Sequence, residues 1–274
     1  MRQRLLATHE LRLFFVALQF LTRIPAPARL CAGYEPQWLN DCVRYFPLVG
    51  ALVGVTGATV LCLAILWWTP PVAALLAVAA TVWVTGAFHE DGLADTFDAL
   101  GGVVPRQRAL EIMKDSRIGT YGATALALTL ALRIALLAML AAKSPAAAAA
   151  ALIGAHVLGR AAAICMMALL PYAGDADHAK AKPLATSVRL LPVAWGVASA
   201  ILLVAGLAVI SNTAWVATSG VPVGGWMLAA GATLLVVWSV RWWLRRRLGG
   251  YTGDTLGATE QLTEIAVLLV LSGA

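Results

Sequence analysis

Charge is what this sequence has least of: 12% of its 274 residues are Asp, Glu, Lys or Arg, against 61% hydrophobic. A water-soluble domain carries about a quarter charged residues and about half apolar ones. The polar surface available here is too small to cover a soluble globule, and a mean hydropathy of +0.81 makes the bilayer the solvent that fits. Cysteine is equally sparse. Cys31, Cys42, Cys62 and Cys165 form no Cys-x-x-Cys pair, which excludes a thiolate zinc site and a disulfide framework. Of the four histidines, His9 and His178 read as solvated side chains and His156 as a polar group packed between helices. Only His89 adjoins a cluster of acids. No internal repeat is visible. The net charge of +6 would suit a nucleic-acid partner, but the basic residues sit at the ends of apolar runs, where membrane topology accounts for them. No nucleic-acid partner is expected.

What is there in abundance is apolar sequence in long runs. A helix needs roughly 20 apolar residues to cross about 30 Å of hydrocarbon. Seven stretches qualify: Phe46 to Trp68, Pro70 to Phe88, Gly119 to Ala142, Pro145 to Leu170, Leu190 to Ile210, Val221 to Leu244 and Leu256 to Ala274. Trp68-Thr-Pro-Pro and Lys143-Ser-Pro145 predict tight hairpins, because proline cannot continue a helix, and Ser211 to Gly220 predicts a third. The stretch from Leu13 to Leu21 is shorter and interrupted by Gln19; it predicts a short interfacial or re-entrant helix retained in the mature protein. The expected architecture is an all-α, polytopic transmembrane bundle forming one integral membrane domain over 1–274. Residues 1–45 form an N-terminal interfacial segment. Three loops share its side of the membrane: 89–118, which carries the chemistry, 171–189, and a glycine-rich loop at 245–257. With an alternating path, those four segments, with Arg241 at the end of the sixth span just before the last of them, hold every Lys and Arg except Arg133, Lys143 and Arg160. The positive-inside rule places them in the cytoplasm, so the chain is expected to be a multi-pass protein of the bacterial inner membrane. The alanine run from Ala146 to Ala151 predicts close helix packing. Tryptophan pairs at span ends, Trp67-Trp68 and Trp242-Trp243, read as an interfacial belt, and Arg245-Arg246-Arg247 as a topology anchor.

The acidic residues obey the same division, which the positive-inside rule does not require: all 14 lie in the cytoplasmic segments or the first turns of the last span. Continuing the second span as a helix puts Asp91, Asp95 and Asp98 at i, i+4 and i+7 on one face, with His89 and Glu90 beside it. Like charges stacked this way repel, more so where water screens less. A divalent cation removes the repulsion, and carboxylate oxygens suit Mg²⁺ or Mn²⁺. Further on, Lys114 and Arg117 bracket Asp115 just before Gly119 and Tyr121. Two cations beside a helix start, where backbone N–H groups attract anions, describe a phosphate-binding edge. The third cluster, Gly249 to Gly257, has four glycines that let a loop approach a ligand. Within it Thr252 and Thr255 are hydroxyl donors, Gly253 leaves room, and Asp254 offers a further metal ligand. Glu260 and Glu264, at i and i+4 inside the last span, are costly there and therefore functional candidates. Arg160 is expected to find an acidic partner such as Glu260. With Arg133 and Arg160 the only Lys or Arg inside spans, a non-enzymatic transporter or scaffold fits poorly.

Five segments taken together resemble the cobalamin synthase family, the adenosylcobinamide-GDP ribazoletransferases. They are Phe20-Leu-Thr-Arg23-Ile-Pro25, Phe46-Pro-Leu-Val-Gly50, Gly86-Ala-Phe-His89-Glu-Asp91-Gly92-Leu-Ala-Asp95-Thr-Phe-Asp98, Glu111 to Gly122, and Gly249 to Gly257. The resemblance implies an enzyme that joins α-ribazole, or its 5′-phosphate, to adenosylcobinamide-GDP with release of GMP and with Mg²⁺ as cofactor. It implies metal ligands among Glu90, Asp91, Asp95, Asp98 and Asp254. Arg23, Lys114, Arg117, Gly119, Tyr121, Thr252 and Gly253 would bind substrate, and Asp98, Asp115 or His89 would handle the proton. A homo-oligomer is compatible with the sequence and not required by it. The nearest rival is a CDP-alcohol phosphotransferase of lipid synthesis, whose acidic motif differs from Asp91-Gly-Leu-Ala-Asp95.

Overall fold

The computed structural model describes residues 2–31, 33–174, 188–211 and 221–273. Most of the 171–189 loop, with Lys180, Lys182 and His178, and nearly all of the Ser211 to Gly220 hairpin lie outside the described residues. Every regular element among the described residues is a helix, and one isolated parallel bridge joins Tyr172 and Tyr251. Amphipathic α1 (Arg2–Leu21) leads through the short α2 (Ala28–Cys31) and α3 (Gln37–Asp41) and a 3-10 turn (Cys42–Tyr45) into α4 (Phe46–Ala64). There follow α5 (Pro70–Thr85), α6 (Phe88–Leu100), α7 (Arg106–Met113), α8 (Thr120–Lys143), α9 (Pro145–Leu169), α10 (Leu190–Ser211), α11 (Val223–Arg247) and α12 (Gly253–Gly273). Six stretches are long and apolar enough to cross a membrane, and a seventh arises if α5 and α6 count as one bent span.

The two prolyl hairpins form as the sequence requires. Thr69-Pro70-Pro71 opens α5, and Ser144 joins α8 to α9, its hydroxyl accepting from the Ala147 N–H at 3.2 Å as an N-cap. At the amino end, α1 is more than an interfacial strip. Leu13, Val16, Ala17, Leu18 and Leu21 are buried in one core cluster with Phe46, Val49 and Ile164. Glu10 holds the turn into α4, accepting from Arg44 at 3.1 Å and from the Tyr45 hydroxyl at 2.7 Å.

Small residues decide which helix is central. Most of α9 is buried and most of α10 is not, and Ala147, Ala148 and Ala151 are all inside. Across from them, a Cβ on Gly50 would meet the His156 carbonyl, and one on Gly54 would meet the Ile153 backbone. Close backbone approach of this kind is how helices associate where lipid supplies no hydrophobic driving force.

The second span departs from expectation. It does not run on from Pro70 to Phe88 and into the acidic segment. At about 1.5 Å per residue, the 16 residues of α5 cover less than the hydrocarbon thickness, and α6 leaves at 88°. Gly86 takes a left-handed conformation at φ 70°, and Ala87 does so too at φ 59°. Their N–H groups close onto Trp83 (3.2 Å) and Val82 (2.9 Å), a Schellman stop. Periodicity could not show this break, since one alanine held at positive φ leaves no mark in an apolar pattern.

Candidate active site

α6 is a helix with two polar faces in different surroundings. Asp91 is exposed and Asp95 and Asp98 are half-buried, on one side. His89 and Glu90 are each only 5% exposed, turned into the bundle. Gly92 lets the start of α12 lie against α6, since a Cβ there would meet the backbone of Asp254; Gly257 makes the same close approach to His89. Asp254 is thereby brought alongside the stretch of α6 that carries Asp91 and Asp95.

Asp98 joins α6 to α8. Its two carboxylate oxygens accept from the N–H groups of Gly119 and Gly122, both at 2.7 Å. The N-terminus of α8 thus holds an anion, as expected of a helix start, but the anion is the side chain of Asp98 rather than a phosphate. Any side chain on Gly119 or Gly122 would displace that carboxylate. Tyr121, on the same turn, is largely exposed and lays its ring on Gly101.

Asp115 and Arg117 pair with each other. Arg117 donates from Nη2 to Asp115 Oδ2 at 2.6 Å, and from Nε and its backbone N–H to Oδ1, both at 3.0 Å. Asp115 raises the guanidinium pKa of this fully solvated arginine. Lys114 is exposed at the end of α7. Arg23 lies over the α5–α6 bend: its N–H donates to Val84 at 2.8 Å, and its guanidinium fills the space a Cβ on Gly86 would take.

The glycine-rich segment is built chiefly to start α12. The Thr252 N–H donates to Thr255 Oγ1 at 2.8 Å, and the Thr255 N–H to Thr252 Oγ1 at 3.3 Å, a reciprocal N-cap like the capping box. The hydroxyls of Thr252 and Thr255 are buried in that role, whereas Gly253 is open to solvent. Three loops are laced behind it. Arg106 donates to the carbonyls of Leu248 (2.6 Å) and Ala173 (3.1 Å), and Arg247 to those of Leu100 (3.1 Å) and Gly102 (2.6 Å). Burial pushes the Tyr251 phenol pKa up to about 12, keeping it neutral against Tyr172.

The other face of α6 meets a cluster that sequence reasoning only touched. Arg133 of α8 donates to Glu90 Oε1 (3.1 Å) and Gln261 Oε1 (2.9 Å), and pairs with Glu264 Oε2 (2.8 Å). Arg160 of α9 pairs with Glu260 and, at 3.2 Å, with Glu264, while His156 contacts Glu264. The expected Arg160–Glu260 pair is thus present, and His156 is a member of an ionic network rather than a lone packed polar. Donor atoms of His156, Glu260 and Glu264 lie within 4.8 Å of one another. With two guanidiniums already on these carboxylates, the arrangement is that of a buried ion-pair network, not of a cation cage. Intramembrane Arg and Glu were the signal that could have found it; His156 and Gln261 alone carried none.

An all-helical membrane protein with an acidic helix face at one end of its bundle, pinned by glycine contacts and buried ion pairs, is the class defined by these features. The chain matches the family described as cobalamin-5-phosphate synthase over residues 13–272, and it belongs to that family, a family of enzymes. Among its relatives, the adenosylcobinamide-GDP ribazoletransferase of Leptothrix cholodnii is 50% identical over 95% of both chains. The enzyme of the same name from Shewanella amazonensis is 44% identical over 96% of this chain and 95% of its own. That from Albidiferax ferrireducens is 43% identical over 96% and 98%. No solved structure matches the chain.

Proposed function

We propose that this chain transfers the cobinamide-phosphate group of adenosylcobinamide-GDP to α-ribazole or its 5′-phosphate, releasing GMP, with Mg²⁺ as cofactor and the acidic face of α6 turned to the cytoplasm. A hydroxyl oxygen of the ribazole attacks the phosphorus next to cobinamide. The bond from that phosphorus to the GMP oxygen breaks, GMP leaves with the electron pair, and the hydroxyl proton passes to a carboxylate. The observation that carries this reading is the exposed face of α6 with the N-terminus of α12 laid against it. Its oxygen-only donors, Asp91, Asp95 and Asp254, are the set a hard, partly hydrated cation takes, and Asp91 makes no ion pair with any described residue. When bound there, Mg²⁺ would neutralise the charge that builds on the diphosphate.

The remaining roles belong to the chain's own groups. Arg117 and Lys114, exposed on the loop before α8, would bind phosphate oxygens, Arg117 while braced by Asp115. Arg23 stands where it could add a third cation. Asp98 has both oxygens on backbone N–H groups, so its part is to hold α8 against α6, and the proton passes to Asp115 or Asp95. His89 and Glu90 act from the buried side. Localisation in the inner membrane rests on the charge asymmetry of the loops.

The test is turnover by purified chain in nanodiscs supplied with adenosylcobinamide-GDP, α-ribazole and Mg²⁺. GMP and a cobalamin product should appear together, and no CMP should be released from CDP-alcohols. Asp91→Ala should lower turnover by at least about a hundredfold while the protein still inserts. Wild-type activity in that variant would remove Asp91 from the reaction.

A further inference from the structure

Away from the acidic face, the last turns of α11 carry a groove of about 440 Å³ lined by Trp238, Arg241, Trp242, Arg245 and Arg246. Trp238, Arg241, Trp242 and Arg245 recur at i, i+3, i+4 and i+7, which is one stripe of a helix. Both indoles are more than half exposed on a face that also presents Met227, Leu228, Leu234 and Leu235, so the stripe looks into lipid. Arg246 stacks over the Trp242 ring at 4.2 Å. Arg241 buries its Nε with no hydrogen-bond partner, and no described carboxylate pairs with Arg241, Arg245 or Arg246. The neighbouring Arg247, by contrast, is spent on the carbonyls of Leu100 and Gly102.

We infer that this groove is a binding site for the headgroup of an anionic phospholipid. Anchoring of the span would need only charge near the interface. It would not need two indoles flanking the guanidiniums, nor a guanidinium one turn deeper with a buried, unpartnered donor. A lipid phosphate satisfies Arg241 and Arg245 together, while the indoles bracket the glycerol and upper acyl chain. α11 also touches the acidic helix, through Trp243 against Phe97 (ring centroids 5.9 Å) and through Arg247, so an occupied groove would steady the end of α6.

Full-length protein in nanodiscs of phosphatidylcholine mixed with phosphatidylglycerol, released into mild detergent, is read by native mass spectrometry. Wild type should retain phosphatidylglycerol in preference to phosphatidylcholine. Arg241→Gln should weaken that retention about fivefold, the factor for one surface charge at roughly 1 kcal/mol. Arg241→Gln with Arg245→Gln should weaken it further, and Arg241→Lys should keep most of it. Retention unchanged in the double variant, or equal for the two lipids in wild type, would overturn the site and leave an ordinary lipid annulus. Should the double variant fail to insert, brominated-acyl phosphatidylglycerol decides on wild type. It must quench tryptophan emission more than brominated phosphatidylcholine does, and that excess must shrink in Trp238→Phe/Trp242→Phe. Displacement of the brominated lipid by adenosylcobinamide-GDP would assign the groove to substrate and overturn the proposal as well.

Discussion

At the scale of single residues, the acidic motif separates into side chains with different work. Asp91 faces solvent, Asp98 is committed to the Gly119 and Gly122 N–H groups, and Glu90 to Arg133 and Gln261. The i, i+4, i+7 spacing made the shared face of Asp91, Asp95 and Asp98 legible, because helical periodicity is local. It could not show that Asp98 would be claimed by a helix start 21 residues away. Two substitutions test that claim. Asp98→Ala removes the cap on α8 and should destabilise the protein by about 0.5–2 kcal/mol. Gly122→Ala should cost ~1–3 kcal/mol by driving a methyl into the Asp98 carboxylate. Both are measured by thermal unfolding in detergent, and an unshifted midpoint for Gly122→Ala would show that the α6–α8 contact is looser than described.

At the scale of elements, the decisive feature is the bend between α5 and α6. A straight second span would carry the carboxylates onward along the span axis; the 88° turn lays them across the ends of α8 and α12 instead. The turn is held by Gly86, by Arg23 packed over it, and by Ala87 in a conformation that costs an alanine roughly 1–2 kcal/mol. Ala87→Gly should therefore raise stability, by less than about 1 kcal/mol once the greater freedom of the unfolded chain is counted, with activity retained. Ala87→Val should lower stability by ~1–3 kcal/mol and take activity with it. A thermal shift paired with a GMP-release assay reads both. Stabilisation by valine would mean the positive φ is not maintained.

At the scale of the whole molecule, the buried network ties α6, α8, α9 and α12 together within the apolar bundle. Among the described residues, Arg133 pairs with no carboxylate but Glu90 and Glu264, and Arg160 with none but Glu260 and Glu264. Arg133→Met takes from Glu90 its one guanidinium among the described residues, leaves Glu264 with Arg160 and His156, and should destabilise by about 3–5 kcal/mol, with Glu264→Gln in the same chain restoring part of the loss. Unfolding in nanodiscs measures this, and full additivity of the two changes would show that the residues do not interact. Arg133, Arg160, Glu260 and Glu264 were visible as isolated charges, but their convergence depends on how four helices pack.

By itself the sequence determined that this chain carries helices long and apolar enough to cross a bilayer, where both prolyl hairpins fall, and that Asp91, Asp95 and Asp98 share a helical face. Each of those is a property of composition or of residues within a few turns of one another. Only the tertiary structure decided that the second span breaks at Gly86-Ala87, that Asp98 caps α8, and that Arg133 and Arg160 meet at Glu264. The Asp98 and arginine contacts join residues about twenty to more than a hundred positions apart, and in an apolar medium such partners are chosen by helix packing, which no local pattern encodes.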